Sequence, residues 1–276
     1  MYAFLITLRE GLEAALIIGI LLAYLDKAGN QEAKRSVWTG TALAIGSSLG
    51  GGLLIYWLVG GLSGKTLDSF EGLMMLLATA VLTWMILLMQ RTARDLKATL
   101  TGKMDAALTS GGRWGLTFLA FAVVGREGLE TVLFLAGGTA TAASGLLYLL
   151  SGVMGGLLAA LLGWGIYRGS MRLNLRKFFT FSGLVLIVFG AGMLANGMKE
   201  LHEAQWVPAL VAHVWDTYNL LSDTSVAGRL LAALLGYDSS PSLVQVLAYF
   251  GYLLLTGTLF VLGLNGSPKK RKEVSA

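Results

Sequence analysis

The chain has 276 residues, 55% hydrophobic and only 13% charged, with 37 glycines, 3 prolines and a formal net charge of +5. A soluble domain of this size carries about a quarter charged residues, so the composition specifies an integral membrane protein and leaves nucleic acid out as a partner. With no cysteine, disulfides, thiolate metal sites and cysteine nucleophiles are excluded as well.

The first apolar segment begins at Tyr2 without a basic leader, and Arg9, Glu10 and Glu13 interrupt it. That argues against a cleaved signal and for a retained first helix with its N-terminus outside. In chain order the apolar runs predict seven spans: 2–24, 37–59, 70–89, 114–137, 145–167, 178–198 and 243–264. The connections sort by charge. Lys27, Lys34 and Arg35 follow the first span, and Arg91, Arg94, Lys97, Lys103 and Arg113 follow the third. Arg168, Arg172, Arg176 and Lys177 follow the fifth, and Lys269 to Lys272 the seventh. These alternate connections hold 16 of the 21 basic residues, which predicts an extracytoplasmic N-terminus and a cytoplasmic C-terminus. The basic tail reads as an anchor among anionic membrane lipids.

That topology turns the first and fourth spans antiparallel. The expected architecture is an all-α membrane protein with an inverted 3+3 repeat plus one C-terminal helix. Its parts are a first three-helix repeat with a basic cytoplasmic loop (1–113), a second repeat (114–198), an outer loop (199–242), and a last span with its tail (243–276). In the outer loop, Trp206 to Trp215 and Leu230 to Leu235 predict two short interfacial helices, with Asp223 and Ser225 available as caps. Gly46–Gly50, Gly152–Gly156 and Gly165–Gly169 have the small-xxx-small spacing that packs helices closely within a bundle. Met74, Met75, Met85 and Met89 read as packing of the third span.

Two copies of Arg-Glu-Gly-Leu-Glu, at 9–13 and 126–130, lie inside the first and fourth spans. Ionisable groups at membrane depth are costly and mark functional sites. Within each copy the glutamates are three apart and share a helical face, with the arginine on the same side. At 1.5 Å per residue, Glu10 and Glu13 lie about 12 and 16 Å from the outer boundary, and Glu130 and Glu127 about 10 and 15 Å from it. Two antiparallel helices therefore bring four carboxylates to one level. Gly11 and Gly128 leave bare surface between them, open to another helix or an ion.

The four glutamates and two arginines sum to −2 when ionised, which water, protons or a cation must complete. All-oxygen ligation suits hard cations such as ferric iron, manganese, magnesium or calcium and disfavours cuprous copper. The competing bland interpretation is a pair of structural ion pairs, Arg9–Glu13 and Arg126–Glu130, stapling the bundle. On the outer side, Glu71, His202 and Glu203 are candidates for collecting ions; their bland interpretations are a favoured helix-start carboxylate and solvated edge residues.

The doubled motif in spans of this number and length resembles the oxidase-dependent iron permease family, with its fungal high-affinity and bacterial EfeU-type branches. Phe70-Glu71-Gly72 and His202-Glu203-Ala204 resemble motifs of the bacterial branch. The resemblance covers nearly the whole chain. It implies a permease of the cytoplasmic (inner) membrane that imports iron, with iron as transported ion and no bound organic cofactor. It also implies Glu10, Glu13, Glu127 and Glu130 as metal ligands, and an extracytoplasmic partner that binds or oxidises iron; on charge alone, Arg9 and Arg126 are expected to hold the glutamates in position and limit the site's negative charge. The longer acidic motifs of the fungal loops and tail are not evident here. An amino-acid or divalent-cation exporter on a related inverted repeat is the alternative function. An intramembrane enzyme ranks last, because no nucleophile or histidine-metal motif lies at the same depth.

Overall fold

The computed structural model describes residues 2–92, 96–110, 112–138, 145–169, 175–208, 210–222 and 225–265. Among them the regular elements are helices: α1 (Tyr2–Lys27), α2 (Ala33–Val59), α3 (Lys65–Thr92), α4 (Leu96–Ser110), α5 (Gly112–Gly138), α6 (Gly145–Tyr167), α7 (Leu175–Glu203), α8 (Val226–Leu235) and α9 (Leu243–Asn265). By length and composition, α2, α3, α6, α7 and α9 can each cross a membrane. The helices α1 and α5 match them in length, but each carries the three charged residues of its motif. The chain is a helical, multi-pass membrane protein.

Three expectations change. The basic connection after the third span contains a helix, α4, whose Met104 is fully buried in a cluster with Leu25 of α1 and Leu116 of α5. Among its described residues the outer loop forms one helix instead of two. Ser225 caps α8 by accepting from the Gly228 amide at 2.9 Å, and Gly236 ends it at φ +68°, where it meets Gly192 of α7 backbone to backbone. The described residues between Trp206 and Trp215 are not helical. Gln205 and Leu210 both have positive φ, and Pro208 between them disfavours helix in the residue before it. Backbone bonds from Val214 N to Pro241 O, Thr217 N to Ser239 O and Leu243 N to Val211 O, each 2.9–3.0 Å, tie this stretch alongside 239–243 instead. Lastly, Gly46 and Gly50 face open space where packing within the bundle was expected. The expected cap Asp223, Arg94, Arg172, Lys269 to Lys272, and the side chains of Met89, Arg91, Lys97, Arg113, Arg176, Lys177, Leu230 and Leu234 lie outside the described residues.

The helices pair across the two halves of the chain. The helix α1 packs along α6, and α2 along α5. Thr7 Oγ1 donates to Gly152 O at 2.7 Å. The close approaches Leu8–Gly155, Gly11–Ala159 and Ala15–Gly163 climb both helices together, so α1 and α6 run parallel. Gly125–Ala44, Gly128–Ser48 and Val132–Gly52 repeat the same three contacts, at constant offsets along the chain, on the α2–α5 seam. Small residues at each crossing let the backbones close in.

Two core clusters bracket the middle of α1 and α5. In one, Ile6 meets Phe134 with Leu82, Met85 and Leu186; in the other, Leu21 and Leu25 meet Leu116 and Ala120. The start of α1 thus lies beside the end of α5, and the two helices are antiparallel. The helices α3 and α7 are antiparallel too, with Gly72 near Leu201 and Gly183 near Ile86. The helix α9 lines α7, where Tyr252 abuts Gly190 and shares a 2.8 Å hydrogen bond with Thr83 of α3. The motif residues sit between the two clusters.

Candidate functional site

Arg9, Glu10 and Glu13 project from one face of α1, and Arg126, Glu127 and Glu130 from one face of α5, as three- and four-residue spacing on a helix requires. Gly11 and Gly128 are filled by neighbouring helices instead of standing open. A Cβ at Gly11 would fall 2.7 Å from Ala159 Cβ of α6, and one at Gly128 would overlap Ser48 of α2. Each glycine therefore seats the helix that walls the site from the side.

Glu10, Glu127 and Glu130 converge, each offering a carboxylate oxygen within 4.8 Å of the others. Glu13 stands apart from this trio. Arg9 holds it, with Nη2 3.0 Å from Glu13 Oε1 in an ion pair that lacks hydrogen-bond alignment. Arg9 Nη1 also donates to Glu10 Oε1 at 2.6 Å and to the Met85 sulfur of α3 at 2.9 Å. Met85, expected to be packing alone, thereby touches the charged centre.

The second arginine is placed differently. Arg126 Nε donates to Glu130 Oε1 at 2.8 Å and lies 3.9 Å from Glu127, but its side chain is 51% exposed against 4% for Arg9. The sequence repeats the motif; the surroundings do not. The cause is α3, which covers Arg9 through Met85.

Each of the three convergent glutamates keeps one buried oxygen without a hydrogen-bond partner: Oε2 of Glu10, Glu127 and Glu130. Burying acceptors unsatisfied is costly, and three together make a receptor for something positive. A hard cation ligated through oxygen answers that need. Glu10 and Glu127 also line a cavity of about 790 Å³ between the α1–α6 and α2–α5 pairs.

The outer candidates do not join this centre. Glu71, near the start of α3, forms an acidic group with Asp68 and with Glu200 and Glu203 at the end of α7. Glu200 escaped the sequence reading, although Glu200-x-x-Glu203 repeats the spacing of the motifs. His202 is exposed, with Nδ1 2.8 Å from Val207 O. Nearby, burial pushes the Asp238 carboxyl up. The Ser240 amide, the Lys199 ammonium and the Gln245 amide outweigh it and hold the group below its ordinary value.

Residues 1–271 match the Iron permease FTR1 family. The chain belongs to that family. It is 35% identical over 261 residues to the ferrous iron permease EfeU of Escherichia coli O6:H1 strain CFT073, covering 94% of both chains. It is 34% identical to the ferrous iron permease EfeU of Yersinia pestis over 94% of this chain and 92% of the relative. It is also 34% identical to a putative inactive ferrous iron permease EfeU of Escherichia coli strain K12. No solved structure matches. The chain is thus an iron permease, a transporter and not an enzyme, and its cargo is iron.

Proposed function

We propose that this permease imports ferrous iron across the cytoplasmic (inner) membrane, with Glu10, Glu127 and Glu130 as the ligands of the passing ion. The observation that carries the reading is the set of three buried, unpartnered carboxylate oxygens contributed by two antiparallel helices. Arg9 and Arg126 limit the negative charge, and Glu13 fixes Arg9. The formal charge of −2 across both motifs balances a divalent ion, and the relatives named above are called ferrous iron permeases.

The proposed topology has seven spans, α1, α2, α3, α5, α6, α7 and α9, as an inverted repeat plus one. The basic connections lie inside and the N-terminus outside. The matched seams α1–α6 and α2–α5 support the repeat. Glu71, Glu200, Glu203 and His202 would collect ions on the outer side, delivered by an extracytoplasmic partner that binds or oxidises iron. An amino-acid exporter would need unwound helices exposing backbone amides to its substrate. Both α1 and α5 run unbroken through their motifs, which favours a bare ion.

The test is iron uptake into proteoliposomes by single Glu→Gln variants, which keep shape and remove charge. Glu10→Gln, Glu127→Gln and Glu130→Gln should each abolish uptake, and Glu13→Gln should retain part of it because Arg9 keeps Glu10. Normal transport by the first three would place the site elsewhere.

A further inference from the structure

The cavity beside the carboxylates is lopsided. It begins near Thr7 and Leu135, passes Glu10 and Glu127, and runs on to Leu22, Lys34, Trp38, Trp164 and Tyr167 at the far ends of α1 and α6 and the start of α2. In the opposite direction the fully buried Ile6, Leu82 and Phe134 pack over the centre. The cavity therefore extends further from the charged centre toward the Lys34 end than toward the Leu135 end, where the buried cluster packs beside it. On the proposed topology the Lys34 end is cytoplasmic.

The wall of this cavity is almost wholly apolar, with few oxygens along it. Thr41 of α2 is one of the exceptions. It lines the cavity, is only 3% exposed, and its Oγ1 has no hydrogen-bond partner. A threonine inside a helix ordinarily settles its hydroxyl on the carbonyl four residues back, as Thr7, Thr79 and Thr131 do here. Thr41 leaves both lone pairs and its proton unused. Its position on α2 is midway: Ser48, against Gly128 at the carboxylates, lies seven residues one way, and Lys34 at the mouth seven the other. Each step is about 10 Å. At the mouth, Tyr167 donates to Asp26 Oδ2 at 2.8 Å, and Lys34 and Gln31 also bond Asp26, so that end is polar.

We propose that the cavity between the α1–α6 and α2–α5 pairs is the route by which the ion leaves the glutamates, with the Thr41 hydroxyl as its oxygen ligand midway. This rests on the reading of the chain as an iron importer working through the three-glutamate centre. A cation stripped of carboxylates must regain oxygen ligands before it reaches bulk water, and over about 20 Å of apolar wall a single neutral oxygen divides the journey in two. A neutral ligand suits a release step, because it holds a hydrated divalent ion without trapping it.

Two measurements test this. The first is iron uptake as a function of concentration. Thr41→Val, which keeps shape and loses the hydroxyl, should lower the maximal rate about three- to tenfold, leaving half-saturation within about twofold. Thr41→Ser should transport as the wild type does. A wild-type maximal rate in Thr41→Val, or a loss confined to half-saturation, would overturn the assignment.

The second uses the absence of native cysteine. Thr41→Cys and, one helix away on the same cavity, Ile18→Cys should react with a membrane-impermeant cationic methanethiosulfonate in everted vesicles but not in right-side-out ones. Modification of Ile18→Cys should block uptake. Ala78→Cys, in the buried cluster, should not react from that side. Reaction of both cavity positions only from outside, or of neither, would overturn the route. Glu127→Gln run in parallel separates the two failures. If it blocks uptake while Thr41→Val does not, only the release route is wrong; if it transports normally, the glutamate site itself is wrong.

Discussion

Gly128 stands between the two glutamates of the α5 motif, where Ser48 of α2 presses on the helix. Alanine there would set a methyl carbon 2.9 Å from Ser48 Cβ and on top of its hydroxyl. The hydroxyl can rotate away, giving up its 2.9 Å bond to Ala44 O, but the Cβ cannot. Apolar carbons rest about 3.5–4.0 Å apart, so α2 and α5 must separate by roughly 0.6–1.1 Å at this level. Metal–ligand distances tolerate about 0.2 Å. Glu127 and Glu130, carried by the displaced helix, then lose register with Glu10. Overpacking of this kind costs about 1–3 kcal/mol of stability. We predict that Gly128→Ala lowers initial iron uptake roughly ten- to a hundredfold. The assay is radioactive iron uptake at matched membrane protein levels, with thermal unfolding in detergent alongside. Ser48→Gly removes both obstructing atoms at about 1 kcal/mol for a helical glycine, and the double variant should regain most of the lost rate. Wild-type uptake by Gly128→Ala, or a double variant no faster than the single, would refute the steric argument.

Arg9→Ala should deplete folded protein far more than Arg126→Ala, because it strands two buried carboxylates, a loss of about 3–5 kcal/mol for a broken buried pair. Detergent-extracted monodisperse protein measures this, and equal depletion would contradict the asymmetry. Below its ordinary pKa of 3.8 Asp238 gradually loses the charge that holds Lys199. Its folded-state pKa is depressed, so its stabilisation is complete at neutral pH and declines as pH falls through that folded value. Asp238→Asn should flatten this acid limb in hydrogen exchange over 211–243, and an unchanged limb would assign it to another group. A C-terminal alkaline phosphatase fusion should be inactive if the tail is cytoplasmic; high activity would invert the topology.

The helical, membrane-embedded character was legible because apolar runs of about 20 residues have few other uses. The helix α4 was not, since Lys97, Lys103 and Asp105 break its apolar pattern while, among its described side chains, Leu100 and Met104 are the buried ones. The false helix at 206–215 arose from reading Trp206, Leu210 and Val214 at four-residue spacing without weighing Pro208. For the site, the spacing within each motif put the glutamates on one face. Which of them would converge depended on Met85 and α3 capturing Arg9, a contact between residues 76 positions apart that no local pattern encodes. Arg9, so held, pairs with Glu13, which is not one of the convergent three, whereas its counterpart Glu130 is.

The pairing of α1 with α6 and of α2 with α5 also sets the order in which the protein can assemble. On the proposed topology the first helix enters the bilayer long before α5 or α6 exists, so its charged motif must survive there with no partner helix. Arg9 binds Glu10 and Glu13 of the same helix, which offsets one of their two negative charges before any other helix arrives. Neither run of three helices closes on itself, since each helix bearing a motif has its longest seam with a helix of the other run. The bodies that can shift as units are therefore the mixed pairs. Motion between them widens or narrows the space beside the glutamates, whereas motion of one half against the other would tear both seams at once.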